Sequence, residues 1–239
     1  MPHHRSPSRL GLIGFGAFGR LMATHLAPYV TLVIHDPAFP SASLAEAAAC
    51  PIVVLAVPVN ALEQTVTAIA PLLQPGALVL DVGSVKTLPA DIMRRGLPDH
   101  VAIVATHPLF GPQSAAQGIA GLKIAVCPIR GNAGPRVGAF LRHCLGLEVI
   151  MTTPEAHDRE AATVQGLTHL IAKILVQMEP LPTRMTTRSF DLLMQAVGMV
   201  RHDAPEVFQA IEHANPYSAE VRRRFLTFMD AAAATADKS

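Results

Sequence analysis

Gly11-Leu12-Ile13-Gly14-Phe15-Gly16-Ala17-Phe18-Gly19 is the stretch that decides the fold of this chain. The apolar run 10–15 predicts a buried strand, and 17–26 predicts the helix after it. Between them, the glycines at 14, 16 and 19 satisfy the G-x-G-x-x-G spacing in the strand-to-helix context that gives that spacing meaning. The first glycine makes a tight turn. The second lets a pyrophosphate approach the backbone, and the third lets helix and strand pack closely. The helix N-terminus then presents free N–H groups to phosphate. Gly14, Phe15, Gly16, Ala17, Phe18 and Gly19 are therefore the candidate cofactor contacts.

Outward from that point, 31–35, 52–57, 78–82, 101–105, 123–127 and 148–150 read as further strands. Residues 61–73, 85–95 and 136–144 read as helices between them. Strands alternating with helices predict an α/β domain with a mostly parallel sheet covered on both faces. From about residue 154 the pattern changes: 157–179, 185–200, 205–217 and 219–234 read as helices, with Pro180-Leu181-Pro182 breaking the first from the second. The expected organisation is a disordered basic tail over 1–8, a dinucleotide-binding domain over 9–153 and a small all-helical domain over 154–239. About 85 residues of helix rarely build a self-sufficient core. The helical part is therefore expected to pack on the first domain and on a second copy of the chain, giving a homodimer.

Composition narrows the function classes. Half of the 239 residues are hydrophobic and only 15% are charged, which predicts much surface hidden in a core or a subunit interface. A net charge of +1 points to neither nucleic acid nor an anionic membrane as partner. Cys50, Cys127 and Cys144 have no metal-type spacing, so buried reduced thiols and no metal site are expected. The glycines interrupt the first apolar run, no signal-peptide pattern precedes it, and no uninterrupted apolar stretch is long enough to span a bilayer. The expectation is a soluble, cytoplasmic protein.

Chemistry concentrates at strand ends. Asp36 ends the second strand, about twenty residues past the central glycine, where an acid bonds ribose hydroxyls. Its charge would repel a 2′-phosphate and no Arg or Lys follows it closely, so NAD is favoured over NADP; the plainer reading is turn chemistry at Asp36-Pro37. His107 closes the apolar run 101–105 at the carboxyl end of a strand, where open α/β sheets bind ligands, and can accept a hydroxyl proton while a cofactor takes a hydride. The Pro108-Leu109-Phe110-Gly111-Pro112 that follows is expected to leave the strand as a stiff loop. Ser84, in Asp81-Val82-Gly83-Ser84-Val85-Lys86, reads as a helix N-cap or as a hydroxyl facing the cleft beside His107. Lys86 reads as a solvated helix residue or an anion contact. Asp158 reads as a first-turn acid. Gln165 and His169, four apart, share one helix face.

Taken together, these motifs resemble the prephenate and arogenate dehydrogenases of tyrosine biosynthesis. The carrying segments are the glycine run, Asp81 to Lys86, and Thr106-His107-Pro108-Leu109-Phe110-Gly111-Pro112. His157-Asp158-Arg159-Glu160-Ala161-Ala162 and Gln165-Gly166-Leu167-Thr168-His169 complete the ordered set. The resemblance implies a Rossmann domain followed by a helical dimerisation domain. It implies an NAD(P)-dependent oxidative decarboxylation of arogenate or prephenate, giving tyrosine or 4-hydroxyphenylpyruvate. His107 and Ser84 match the catalytic His and Ser. Ala56, Val57 and Pro58 match further cofactor contacts, and Gln113, Gln165, Thr168, His169 and Asp203 match the substrate site. Prephenate-using bacterial members carry an Arg on a later helix; its place here falls near Asp191, with Arg188 close in sequence. Asp203-Ala204-Pro205-Glu206-Val207-Phe208 followed by Asn215 instead resembles the plant arogenate type, in which the first Asp goes with preference for arogenate. An acid suits arogenate, which carries an ammonium where prephenate carries a ketone. Asp203 also reads as an exposed cap before Pro205. Two other readings stay open: a β-hydroxyacid dehydrogenase, although Lys173 is followed by Gln177 rather than Asn, and an NAD-binding protein without chemistry.

Overall fold

The glycine run folds as its spacing requires. In the computed structural model, which describes residues 8–39 and 41–236, strand β1 (Arg9–Ile13) leads through a turn at Gly14 into helix α1 (Ala17–Leu26). The tail expected over 1–8 lies, apart from Ser8, outside the described residues. Strand β2 (Thr31–His35), helix α2 (Leu44–Ala48), β3 (Ile52–Leu55), α3 (Val59–Ile69), β4 (Leu78–Asp81), α4 (Thr87–Gly96) and β5 (Ala102–Pro108) follow. Then come β6 (Lys123–Arg130), α5 (Gly134–His143) and β7 (Glu148–Met151). The seven strands form one sheet in the order β2-β1-β3-β4-β5-β6-β7, parallel throughout except for the β5–β6 pair.

Alternation along the strands splits the core in two. Val53, Leu55, Val79, Ile103 and Ala105 point to one face, under Ala47 of α2, Leu62, Val66 and Ile69 of α3, and Met93 of α4. Leu10, Leu12, Val54, Leu80 and Val104 point to the other, under Ala23 and Leu26 of α1 and Val137 and Phe140 of α5. An apolar space of about 570 Å³ remains between α1, α5 and the sheet, bounded by Leu21, Met22, Leu78, Leu80, Val137 and Phe140. The chain runs from β1 to β2 on one side and returns to β3 on the other. The carboxyl ends of β1 and β3 therefore form the switch point where such sheets bind ligands.

Several expectations need correction. α2 lies in a stretch that showed no periodic pattern; it is nucleated by a capping box in which Ser43 Oγ accepts from the Glu46 N–H and the Glu46 carboxylate accepts from the Ser43 N–H. β5 does not end before His107 but runs through Pro108. β4 stops opposite Ala105, so 106–108 pair only with β6. The Leu109 N–H donates to the Lys123 carbonyl, and by alternation the Pro108 nitrogen faces the open side, where no donor is needed. Cys50 and Cys127 are buried as expected, but Cys144, at the end of α5, is exposed.

The helical segment begins at α6 (Pro154–Gln177) and continues through α7 (Arg188–Val200), α8 (Pro205–Gln209) and α9 (Ser218–Ala236). The predicted helix over 205–217 is instead α8 followed by a single π-helical turn, Ala210–Ala214. Among the described residues, no helix is long and apolar enough to cross a membrane.

Candidate active site

The glycine loop is shaped for a dinucleotide. Gly14 sits at φ 100°, its N–H donates to the His35 carbonyl at 2.9 Å, and a Cβ there would lie 2.7 Å from the Ala56 carbonyl carbon. Ala56 and Val57 thus lie against the loop, and Pro58 follows them as the N-cap of α3. A Cβ at Gly19 would sit 3.1 Å from the Gly14 carbonyl carbon, so α1 approaches β1 closely. Gly16 is the opposite case: no atom lies within 4 Å of where its Cβ would be, and no side chain caps the helix that it starts. Open space in front of uncapped helix N–H groups suits a pyrophosphate.

Asp36 follows β2 directly. Its Oδ2 accepts from the Phe15 N–H at 2.7 Å and its Oδ1 from the Ala38 N–H at 2.8 Å. The carboxylate therefore makes the turn and also ties that turn to the glycine loop. Sequence reading found no basic residue after Asp36, but the fold brings one: the Arg20 guanidinium lies 4.6 Å over the Phe15 ring, which stacks on Phe39 at 4.6 Å.

Beyond the carboxyl ends of β4 and β5 lies a buried polar cluster. Lys86, expected in solvent or on an anion, is fully buried. Its ammonium pairs with Asp81 and donates to the Thr106 carbonyl at 2.6 Å. A buried lysine is tolerable only with such partners. Ser84 is not a helix cap: α4 begins later, at Thr87, and its N-terminus is capped from 71 and 72 residues away. Asp158 of α6 accepts from the Lys86 and Thr87 N–H groups, both at 2.8 Å. The Ser84 side chain, half-buried in the β4–α4 loop, takes part in none of the hydrogen bonds among the described residues.

His107, 3% exposed, projects from β5 into this cluster. Its Nδ1 lies 2.8 Å from His157 Nε2, and His157 Nδ1 lies 2.8 Å from Asp158 Oδ1. Among the described residues its Nε2 meets only the Gln165 amide nitrogen, at 3.4 Å. Burial, with the His157 ring and the Lys86 ammonium nearby, holds His107 well below the usual imidazole value. Burial pulls Asp158 upward, but the His157 hydrogen bond and the Thr87 and Lys86 N–H groups outweigh it and keep the carboxyl below its ordinary value. His107 is thus held as a neutral imidazole with its outer nitrogen beside the Gln165 amide.

The outer wall comes from the helical segment. Gln165 and His169 share one face of α6, and Gln165 Oε1 and His169 Nδ1 are buried without a hydrogen-bond partner among the described residues. His169 Nε2 lies 3.6 Å from Asp203 Oδ2, and its ring stacks on Phe208 at 4.6 Å. Asp203 is not an exposed cap. Ala204 caps α8, and Asp203 is half-buried, its carboxyl raised by that burial. Gln113 and Asp203 converge on Gly111, with side-chain oxygens 3.3 and 3.7 Å from where a Cβ there would lie. Four expected substrate residues, Gln113, Gln165, His169 and Asp203, therefore sit along the path from His107 to α8. Thr168 does not join them; it is exposed, and its hydroxyl donates to the Val164 carbonyl at 2.7 Å. Asn215 is structural: its amide donates to the Asp158 carbonyl at 2.8 Å. Lys173 is held 3.5 Å from Glu212.

The comparisons agree with this geometry. Residues 29–128 match the family described as prephenate dehydrogenase, nucleotide-binding domain, a span that takes in Asp36, Ser84 and His107. A probable arogenate/prephenate dehydrogenase of Methanocaldococcus jannaschii is 27% identical over 73% of the chain. Arogenate dehydrogenase 2 of Arabidopsis thaliana is 30% identical over 64% of it. The chain spans 41% and 44% of the length of these two relatives. In fold, it is similar to prephenate dehydrogenase from Aquifex aeolicus, solved with hydroxyphenyl propionate and NAD+. That likeness has a TM-score of 0.75 at 19% identity and covers 95% of this chain and 90% of that one. Sequence, fold and relatives point the same way: residues 29–128 match the nucleotide-binding domain of prephenate dehydrogenases, and the chain as a whole is similar to prephenate and arogenate dehydrogenases.

Proposed function

We propose that the protein is a nicotinamide-dependent dehydrogenase that oxidatively decarboxylates a cyclohexadienyl acid, arogenate in preference to prephenate. The observation that carries this reading is His107 Nε2, a neutral imidazole nitrogen at a strand end, flanked among the described residues only by the Gln165 amide. Gly14, Gly16, Gly19, the α1 N-terminus and the loop 56–58 would hold the dinucleotide. When bound, the nicotinamide supplies the acceptor for hydride from the ring carbon that bears the hydroxyl. His107 Nε2 takes the hydroxyl proton, leaving a dienone. Loss of the ring carboxylate as carbon dioxide sends its bonding pair into the ring, which becomes aromatic. The proton held on His107 then returns to the phenolate oxygen. Ser84, in the loop beside this site, would place the hydroxyl.

Substrate choice follows from the outer wall. The half-buried carboxylate of Asp203, backed by His169, suits an ammonium, and arogenate carries one. Asp36 at the end of β2 favours NAD, since its charge would oppose a 2′-phosphate. The working form is a homodimer: Val164, Met178, Met185, Leu192, Met199 and Phe228, all from the helical segment, are at least 49% exposed, too large an apolar area for a monomer to leave bare. Light scattering at micromolar concentration would give twice the chain mass, and Phe228→Glu would shift it toward one; a monodisperse wild-type monomer would end this part of the reading.

The test is nicotinamide reduction with arogenate and prephenate, each against NAD and NADP, alongside His107→Asn. Turnover that collapses in the variant while nucleotide still binds supports the reading. Unchanged turnover in the variant, or none in the wild type with any of the four pairs, overturns it.

A further inference from the structure

Resting on that reading, one question is left open: what keeps the outer nitrogen of His107 free of a proton. A neutral imidazole carries its proton on either nitrogen, and only one tautomer leaves Nε2 able to act as a base. The His107–His157–Asp158 chain resolves the choice by elimination. The Asp158 carboxylate only accepts, so a neutral His157 carries its single proton on Nδ1. His157 Nε2 is then an acceptor. The 2.8 Å contact requires His107 Nδ1 to donate. His107 Nε2 is left bare and accepts weakly from the Gln165 amide.

We infer that His157 is a positioning residue that locks His107 as the Nδ1–H tautomer and carries its charge toward Asp158 when His107 takes the substrate proton. Every member of the chain is fixed from a different element. His107 stands on β5, and the Asp158 carboxylate is held by the N-terminus of α4, while Asn215 holds the Asp158 carbonyl. His157 is 6% exposed and Asp158 not at all, so water does not compete for these bonds. The Lys86 ammonium, paired with Asp81, also lies near His107 and opposes a resting charge on its ring. The arrangement is a carboxylate–imidazole–imidazole line, in which the middle ring orients the outer one without touching substrate.

Nitrogen-15 NMR of the histidine rings tests this directly, with the His107 signals identified by their loss in His107→Asn. The wild type is expected to show His107 protonated on Nδ1, and His157→Leu a mixture of tautomers. His157→Leu should lower kcat roughly 100-fold with KM for both ligands within about threefold, as expected for a base in the wrong tautomer. His157→Gln keeps an acceptor oxygen for His107 Nδ1–H and should recover most of that loss. An Nε2–H tautomer in the wild type overturns the inference. So does a His157→Leu protein with unchanged tautomer and kcat, or a Gln variant no better than Leu. Absence of turnover with every substrate pair would remove only the functional reading, because the tautomer measurement decides the positioning role without activity.

Discussion

Gly14 and Gly16, two residues apart in one loop, make opposite predictions, and alanine at each separates folding from binding. Gly14 is at φ 100°, with its Cβ position 2.7 Å from the Ala56 carbonyl carbon. Gly14→Ala must adopt a backbone region that costs an L-residue roughly 1–2 kcal/mol, and it must also push β1 from β3 at roughly 1–3 kcal/mol. The sum is about 2–5 kcal/mol, or a fall in Tm of roughly 5–15 °C for a chain of this size. Gly16 has φ −67° and ψ −166° and nothing within 4 Å of its Cβ position. Gly16→Ala should therefore leave Tm unchanged or raise it slightly, since alanine restricts the unfolded chain by about 0.4–1 kcal/mol. Its methyl occupies the space that a pyrophosphate needs, so nucleotide affinity should fall at least about tenfold, near 1.4 kcal/mol. Thermal melting and calorimetric titration of NAD into both variants provide the assay. A Gly16→Ala protein that melts several degrees early, or that binds NAD like the wild type, refutes the assignment of that open space to the cofactor.

Other predictions follow from the buried cluster and the outer wall. Lys86→Met leaves the Asp81 carboxylate and the Thr106 carbonyl buried without their partner, so stability by denaturant titration should drop by about 3–5 kcal/mol. An exposed lysine would cost almost nothing. Burial holds His107 and His169 below the ordinary histidine value of 6.5, so below about pH 6.5 the unfolded chain binds protons that the folded chain refuses. Stability should therefore decline as pH falls from 6.5 toward 5, with a shallower slope in His107→Asn; a flat profile would show that neither ring is neutral in the fold. Asp203→Asn should lower kcat/KM for arogenate roughly tenfold or more while changing that for prephenate much less. Equal losses on both substrates would detach Asp203 from selectivity.

Much of the nucleotide-binding half was legible because its signals are local. Helix 17–26 and strand 31–35 appear with the predicted bounds, since a dense apolar period and flanking glycine or proline define them within a few residues. α2 escaped notice because its alanines carry no amphipathic rhythm, although Ser43 and Glu46 hold the capping-box spacing. Strand 101–105 was stopped three residues early, ahead of Pro108. The rule against proline within a strand assumes a partner on both sides, and β4 has already ended there. Lys86 and Asp158 resisted sequence reading for a different reason. A lysine after a strand usually meets water, and an acid at a helix start usually serves that helix. Here the acid serves a helix 71 residues earlier, and the lysine's partner sits across a loop. His107 was legible from its place at a strand end and Asp203 through motif resemblance, but the His107–His157 contact spans 50 residues and is visible only in three dimensions.

Asp158 has one further consequence. It is the fifth residue of α6, yet its carboxylate oxygens are spent on the opening of α4 and on His157. If α6 lifts away, α4 loses its cap and the two imidazoles lose their anchor in the same motion. Docking of the helical segment and orientation of the His107 ring are thus coupled through one carboxylate.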